Sequence, residues 1–257
     1  MEKRNLLLWI RYLGTHYHGF QVQQNAPTVA HTLQDAIEQV MGDREDIKGC
    51  SRTDAGVHAT RYAVSLKTGS TIPIGGLLRA LNAALPDDIA VTGIQPVPGD
   101  FHARYSSIGK TYRYTLYTGQ VRDPFLCDRS YHIRRPLDLA RMQSAAAHLI
   151  GRHDFQALAA NGGKVLDSTE RTITQLDILR EGDLVQITVS ADGFLYKMVR
   201  TIVGTLIDVS DGRIEPEEIP SILASRDRRR AGFCAPAAGL CLIDVRYPPS
   251  MGIEPPA

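Results

Sequence analysis

The sequence predicts an α+β protein with two halves, each a sheet backed by helices. Alternating or continuous apolar segments, which indicate strands, are interleaved with segments that carry apolar residues at helical spacing. The order β-α-β-α-β in residues 1–104 is followed by a similar order with longer connections in residues 105–247. We therefore expect two domains with these bounds and a proline-rich tail at residues 248–257.

The first half begins with an apolar run at residues 6–13, which predicts a buried strand. A polar loop follows, and Thr28 is the expected N-cap of a helix that ends at Gly42. The remaining elements expected in this half are a strand at 62–66, a helix at 74–85 and a strand at 89–94.

The second half begins with a strand on which Tyr112, Tyr114 and Leu116 alternate with polar residues. Asp138 is the expected cap of a helix that ends at Gly151. The elements expected after it are strands at 172–179 and 184–190, a helix from Phe194 to Asp208 with an apolar pair every four residues, and a strand at 240–247.

Composition limits the class of protein. The chain has 257 residues, with 29 basic and 28 acidic residues and a formal net charge of +1. Its four cysteines have no C-x-x-C spacing, so neither a structural zinc site nor a disulfide framework is expected. The apolar run near the start is too short for a signal peptide, and no segment approaches the ~20 apolar residues of a membrane span. We expect a cytoplasmic protein.

The most informative segment is the predicted loop at 49–59, GCSRTDAGVHA. Loops on a rigid scaffold are common places for catalytic groups, and this one holds Asp54 between two secondary elements. Taken alone, Asp54 is more typical of a turn or capping residue than of a catalytic one, with Arg52 as its surface ion-pair partner.

A metal-dependent hydrolase is an alternative, because His16 and His18 form an H-x-H pair after a strand. Enzymes of that kind need an eight-fold βα barrel with further His and Asp ligands, and this chain lacks the βα repetition. Nucleophilic hydrolysis by Ser51 or Cys50 has little support, since no G-x-S-x-G motif is present.

Basic and aromatic residues are concentrated in two places despite the neutral total. Residues 101–135 hold seven basic residues, two acids and seven aromatics, and residues 226–230 hold four arginines and one aspartate. Cationic groups contact phosphates and aromatic faces stack on exposed bases, so these patches favour nucleic-acid binding. Solvated strand faces with ordinary core tyrosines would produce the same pattern.

With the stretch RTDAGVHA in view, the sequence resembles the tRNA pseudouridine synthase A family. The resemblance covers roughly residues 5–247 and consists of motifs in family order. These motifs are YLGT at 12–15, GFQ at 19–21, LPDDI at 85–89, FHAR at 101–104, KTYRY at 110–114, GRHDF at 151–155, MVR at 198–200 and APAAGL at 235–240.

The resemblance implies two RRM-like or ferredoxin-like halves with antiparallel sheets joined around a central active-site cleft. It implies isomerisation of uridine to pseudouridine in the anticodon stem-loop of tRNA, at positions 38, 39 and 40, without a metal or organic cofactor. It also implies a homodimer. A catalytically inactive RNA-binding paralogue and a metal-dependent hydrolase that uses His16 and His18 are the alternatives.

The resemblance also implies roles for individual residues. Asp54 is the expected catalytic carboxylate, either by covalent addition or by abstraction of a sugar proton. Arg200 is expected beside it, Tyr112 on the target base, Arg52 in the space of the extruded nucleotide and Leu240 in the base pocket. The residues expected to contact RNA phosphates are Arg104, Lys110, Arg113, Arg228 and Arg229.

Overall fold

A computed structural model describes residues 3–160 and 167–256. The helices and strands, in chain order, are β1 (Arg4–Tyr12), α1 (Val29–Met41), β2 (Ile47–Gly49), β3 (His58–Thr68), α2 (Ile74–Ala84), β4 (Ile89–Val97), β5 (Gly109–Tyr117), β6 (Tyr131–His132), α3 (Leu139–Ala147), β7 (Gly151–Asp154), β8 (Glu170–Glu181), β9 (Leu184–Ala191), α4 (Met198–Ser210), α5 (Ile219–Ser225) and β10 (Leu240–Arg246). The predicted α+β class is confirmed.

The chain divides into two compact units. The first contains the residues up to Ile108 together with those from Cys241 onward, and the second runs from Gly109 to Leu240. The sequence placed the boundaries at residues 104 and 247, with a separate tail from 248. The difference arises at the carboxyl end, because β10 pairs in parallel with β3 and so returns the chain to the first unit.

The sheet of the first unit has the strand order β4-β1-β3-β10, and β2 also pairs with β3. β1 is antiparallel to both β3 and β4. The side chains from Leu6 to Ile10 are all buried, which means that both faces of β1 are covered. The predicted strand at 6–13 is therefore the centre of this core.

The helix caps of the first unit follow the sequence prediction. The side chain of Thr28 accepts a hydrogen bond from His31 N, and Gly42 ends α1 in the left-handed conformation at φ 84°. Thr28 is itself fully buried, and its hydroxyl satisfies one of the backbone donors at the start of α1.

The sheet of the second unit has the order β5-β9-β8-β7, with all three pairs antiparallel. The short strand β6 pairs in parallel with β5. Helix α4 is buried along most of its length, and Asp138 caps α3 by accepting a hydrogen bond from Arg141 N.

Two helix bounds predicted for the second half are wrong. Helix α4 begins at Met198 rather than Phe194, because Lys197 adopts a left-handed backbone at φ 58° that a helix cannot include. Helix α3 ends at Ala147, and Gly151 is instead the first residue of β7. The strands β2, β6 and β7 and the helix α5 have no counterpart in the sequence prediction.

Candidate active site

The predicted catalytic loop lies between β2 and β3 and is anchored at its start by β3. Cys50 N donates a hydrogen bond to Ala63 O at 2.9 Å. The hydroxyl of Tyr62 on β3 donates to Ser51 O, and the ring of Tyr62 stacks on Phe20 with centroids 4.4 Å apart. The residues entering the loop are therefore attached to a buried strand by backbone and side-chain bonds.

The segment after β1 holds the other side of the loop through backbone contacts. Phe20 N donates to Thr53 O at 3.3 Å, and Gly56 N donates to Tyr17 O at 3.2 Å. The hydroxyls of Tyr12 and Thr53 lie 2.9 Å apart. These bonds flank Asp54 on both sides in the chain.

Two positions in this segment admit only glycine because of how closely the backbones approach. A Cβ atom on Gly14 would lie 2.0 Å from Val57 O, and one on Gly19 would lie 2.3 Å from Thr53 O. Gly19 also has φ 86°, a conformation that side chains rarely adopt. The imidazole of the buried His58 accepts a hydrogen bond from Gly14 N at 2.9 Å, which fixes this contact at the end of the loop.

Asp54 is half-buried at the tip of the loop, and Arg52 is exposed. Val57 N donates to Asp54 O at 3.2 Å, and Gly56 has φ 78°, so the chain turns directly after the carboxylate. The loop thus holds one partly accessible carboxylate on a backbone with several hydrogen bonds.

The other predicted substrate-binding residues, Tyr112, Arg200 and Leu240, lie in the second unit. Arg200 and Ala235 are joined twice: Arg200 Nε donates to Ala235 O at 2.7 Å, and Ala235 N donates to Arg200 O at 3.0 Å. The hydroxyl of Tyr114 donates to Pro236 O at 2.8 Å. Burial raises the pKa of the Tyr114 phenol, and the positive charge of Arg200 opposes this shift.

Tyr112 and Leu240 are both buried within this unit. Tyr112 lies on β5, and its ring contacts Phe194 edge-on with centroids 5.2 Å apart. Leu240 is the first residue of β10. Arg200 is half-buried, so three predicted substrate-binding residues are held by packing or backbone bonds in the second unit, while Asp54 and Arg52 belong to the first.

The five predicted phosphate contacts differ in accessibility. Arg104 is exposed and lies over the ring of Tyr105 at 5.7 Å, whereas Lys110 is buried in β5. Arg113 has a buried Nε atom with no hydrogen-bond partner among the described residues. The remaining two follow α5: Arg228 is half-buried, and Arg229 is exposed.

Arg229 forms an ion pair with Asp227 at 2.8 Å. The hydrogen bonds from the Arg229 guanidinium and backbone lower the pKa of Asp227 to about 2. Arg104 and Arg229 are thus exposed and Arg228 is half-buried, whereas Lys110 and the Nε atom of Arg113 are buried.

His16 and His18, the residues of the metal-hydrolase alternative, are both exposed in the segment after β1. Within residues 3–160 and 167–256, no three His, Cys, Asp or Glu side chains are grouped so that they could hold a metal ion. The further ligands that this alternative requires are thus not placed beside the histidine pair. In the same part of the chain, no helix combines the length and the apolar character needed to cross a bilayer.

Sequence reasoning missed the residues that support the loop. Tyr62 was identified only as an apolar position on a strand, and Phe20 only as part of a motif. Gly14 and Gly19, on either side of Tyr17, are the sequence signal that could have found them. Two glycines in a short polar loop indicate positions where another segment of backbone comes too close for a side chain.

A family model described as tRNA pseudouridine synthase matches residues 8–106 and 145–248. The chain belongs to the tRNA pseudouridine synthase family. It is therefore an isomerase, and its reaction is the conversion of uridine to pseudouridine in tRNA.

Individual relatives match over nearly the whole chain. A tRNA pseudouridine synthase A of Acetivibrio thermocellus is 47% identical over 95% of this chain and 100% of its own length. One of Ruminiclostridium cellulolyticum is 45% identical over 95% of this chain and 100% of its own. A tRNA pseudouridine synthase A 2 of Clostridium tetani is 46% identical over 95% and 99% of the two chains. A solved Cbf5-Nop10-Gar1 complex aligns at 12% identity with a TM-score of 0.40, over 92% of this chain and 48% of that chain, a likeness too weak to add to the assignment.

The close contact at Gly14 generates a test of how the loop is held. In Gly14→Ala the new methyl group meets Val57 O and must displace the loop. We therefore expect kcat for pseudouridine formation to fall by about tenfold or more. A catalytic group misplaced by ~1 Å can lower the rate of reaction ~100-fold. Single-turnover assays on a tRNA transcript measure this.

The matched control for Gly14→Ala is Gly75→Ala in α2. A Cβ atom there would meet only the far end of Arg79, at 3.8 Å. Wild-type kcat is expected in this control. Wild-type kcat in Gly14→Ala would contradict the proposed support of the loop.

Proposed function

We propose that Asp54 is the catalytic carboxylate of this synthase and that its targets are uridines 38, 39 and 40 in the anticodon stem-loop of tRNA. The observation that carries the proposal is the anchoring of the Asp54 loop, which holds a single half-buried carboxylate between backbone bonds to β3 and to the segment after β1. A catalytic group lowers the activation barrier most when it already lies in its reactive position and does not have to rearrange during the reaction.

Asp54 must be ionised to perform either of its two possible roles. It adds to the substrate as a nucleophile or removes a proton from the sugar, and both routes lead to cleavage of the N-glycosidic bond, rotation of the uracil and rejoining through carbon. A carboxylate that becomes buried beside uracil would have its pKa raised by desolvation, so a nearby cation is required. We assign that role to Arg200, whose guanidinium is oriented by the bond from Nε to Ala235 O.

Three further residues complete the proposed site. Tyr112 packs on the target base, and its edge-on contact with Phe194 restricts the orientation of its ring. Leu240 supplies an apolar wall of the base pocket. Arg52 occupies the space of the extruded nucleotide; its exposed position is compatible with this, and a stacking partner offsets the few kcal/mol that extrusion costs.

The predicted partner and location remain proposals with less direct support. The exposed Arg104 and Arg229 and the half-buried Arg228 would contact phosphates of the tRNA. We propose that the chain forms a homodimer and acts in the cytoplasm, as its family resemblance implies. Light scattering on the purified protein distinguishes a dimer from a monomer.

Replacement of the carboxylate tests both the mechanism and the inactive-paralogue alternative. Asp54→Asn keeps the shape of the side chain but removes the charge, so pseudouridine formation is expected to fall below detection while tRNA binding stays within about twofold of wild type. Asp46→Asn, an exposed carboxylate on the other side of β2, is the control and should retain full activity. Pseudouridine formation by Asp54→Asn at the wild-type rate would refute the assignment, and an inactive wild-type chain that still binds tRNA would favour the paralogue.

The target positions are tested in cells that lack the chain. Chemical mapping of pseudouridine in total tRNA is expected to show loss at positions 38, 39 and 40 and restoration by the wild-type chain but not by Asp54→Asn. Retention of pseudouridine at those positions together with loss elsewhere would contradict the anticodon-arm proposal and leave the reaction itself intact.

A further inference from the structure

The second unit contains an open cavity of about 670 Å³ that is separate from the residues assigned to catalysis. It lies where the end of α3, β7 and α5 come together. Its polar lining is His148, His153, Asp154 and Arg226, and its other lining residues are aliphatic. Cavities of this size with a few polar groups on an apolar wall are typical of small-ligand sites.

The backbone at Arg226 is unusual. Among the described residues, only Arg226 and Lys197 are non-glycine residues with positive φ, and the value at Arg226 is 53°. Arg226 is the C-cap of α5, a place where glycine relieves this conformation without cost. A strained backbone that carries a long cationic side chain indicates that the side chain itself is used.

The guanidinium of Arg226 is oriented from one side only. Its Nε lies 2.8 Å from Asp154 Oδ2, and Asp154 Oδ1 in turn accepts hydrogen bonds from Thr169 Oγ1 at 2.7 Å and Gln156 N at 3.0 Å. Burial would raise the pKa of Asp154, but these hydrogen bonds and the Arg226 charge lower it below its usual value. The carboxylate therefore stays charged near neutral pH and fixes the guanidinium, whose terminal N–H groups have no partner among the described residues.

Two imidazoles line the same cavity as this guanidinium. The ring of His153 is held by a contact between Nε2 and Ile150 O at 3.0 Å and by edge-on packing against Phe155. The ring of His148 also lines the cavity. Planar rings next to an oriented cation match the parts of a nucleotide, since a base stacks on a ring and a phosphate accepts bidentate bonds from a guanidinium.

We propose that this cavity binds one nucleotide of the tRNA substrate other than the target uridine, with a phosphate on Arg226 and the base against His148 and the aliphatic wall. Asp54 is not among its lining residues, so the cavity positions the substrate and does not perform the reaction. The proposal rests on the proposed function, because tRNA must be the substrate. Arg228, Arg229 and Arg230, which follow Arg226 after Asp227, support an anionic ligand that extends beyond the cavity.

The strained backbone makes Arg226→Gly an informative variant. Glycine fits the left-handed conformation, and Asp154 keeps its bonds from Thr169 and Gln156, so Tm is expected to stay at or above the wild-type value. The KM for tRNA is expected to rise by about tenfold with kcat within about twofold, since removing a hydrogen-bonded charge typically weakens binding by this factor. Arg226→Lys keeps the charge but cannot form two parallel hydrogen bonds to one phosphate. Its KM for tRNA should lie between those of wild type and Arg226→Gly.

Arg152→Gln is the matched control. Arg152 lies on β7 beside His153, is exposed and pairs with Glu170 at 2.9 Å, but it does not line the cavity. An equal rise of KM in Arg152→Gln would show that only the general charge of this face matters and would overturn the proposal. An unchanged KM in Arg226→Gly, or a loss confined to kcat, would also overturn it.

A second variant and a competition assay keep the test independent of folding. His148→Ala should raise KM for tRNA without changing Tm, and uridine monophosphate should inhibit wild-type protein more strongly than Arg226→Gly. Equal inhibition of the two proteins would contradict a nucleotide site at Arg226. Failure of the proposed function is distinguishable, because it would appear as activity of Asp54→Asn or as loss of pseudouridine at other tRNA positions, and not as a change of KM in Arg226→Gly.

Discussion

Direct backbone contact between the segment after β1 and the loop that carries Asp54 is the constraint on which the candidate site depends. This segment reaches the loop at Val57 through Gly14 and at Thr53 through Gly19, and any side chain at either glycine would separate them. The bonds that Phe20 and Gly56 make across the contact replace water at backbone groups that would otherwise be unsatisfied. The backbone on either side of Asp54 is thus fixed by packing of main chain on main chain.

In the second unit, hydrogen bonds that involve side chains hold the segment that leads into β10. There the segment that leads into β10 is tied to α4 by the two bonds between Arg200 and Ala235 and to β5 by the bond from Tyr114 to Pro236. A cationic side chain and a buried phenol therefore fix a stretch of chain without regular secondary structure. In the first unit Arg52 and Asp54 lie on an irregular segment held by strands, which is the usual division between scaffold and site. In the second unit Tyr112, Arg200 and Leu240 lie on β5, α4 and β10 themselves.

The accuracy of the sequence analysis depended on the range of the interaction that defines each feature. Thr28, Gly42 and Asp138 were predicted as helix termini because a cap involves residues three or four positions apart. The start of α4 was wrong because the apolar pairing continues past Lys197, whose backbone conformation leaves no trace in that pattern. The return of β10 to the first unit depends on pairing between residues far apart in the chain, and the role of Asp54 came from family resemblance, since spacing alone left it as a turn residue.

The central claim is that the Asp54 loop is held in place before substrate binds. Hydrogen exchange of the amides of Phe20 and Gly56, which bridge the loop and the segment after β1, tests it most directly in the protein without RNA. We predict protection comparable to that of β3, because opening either bond requires separating main chains packed at glycine-only distances. Exchange of both amides at the rate of an unstructured peptide, with β3 still protected, would contradict the account.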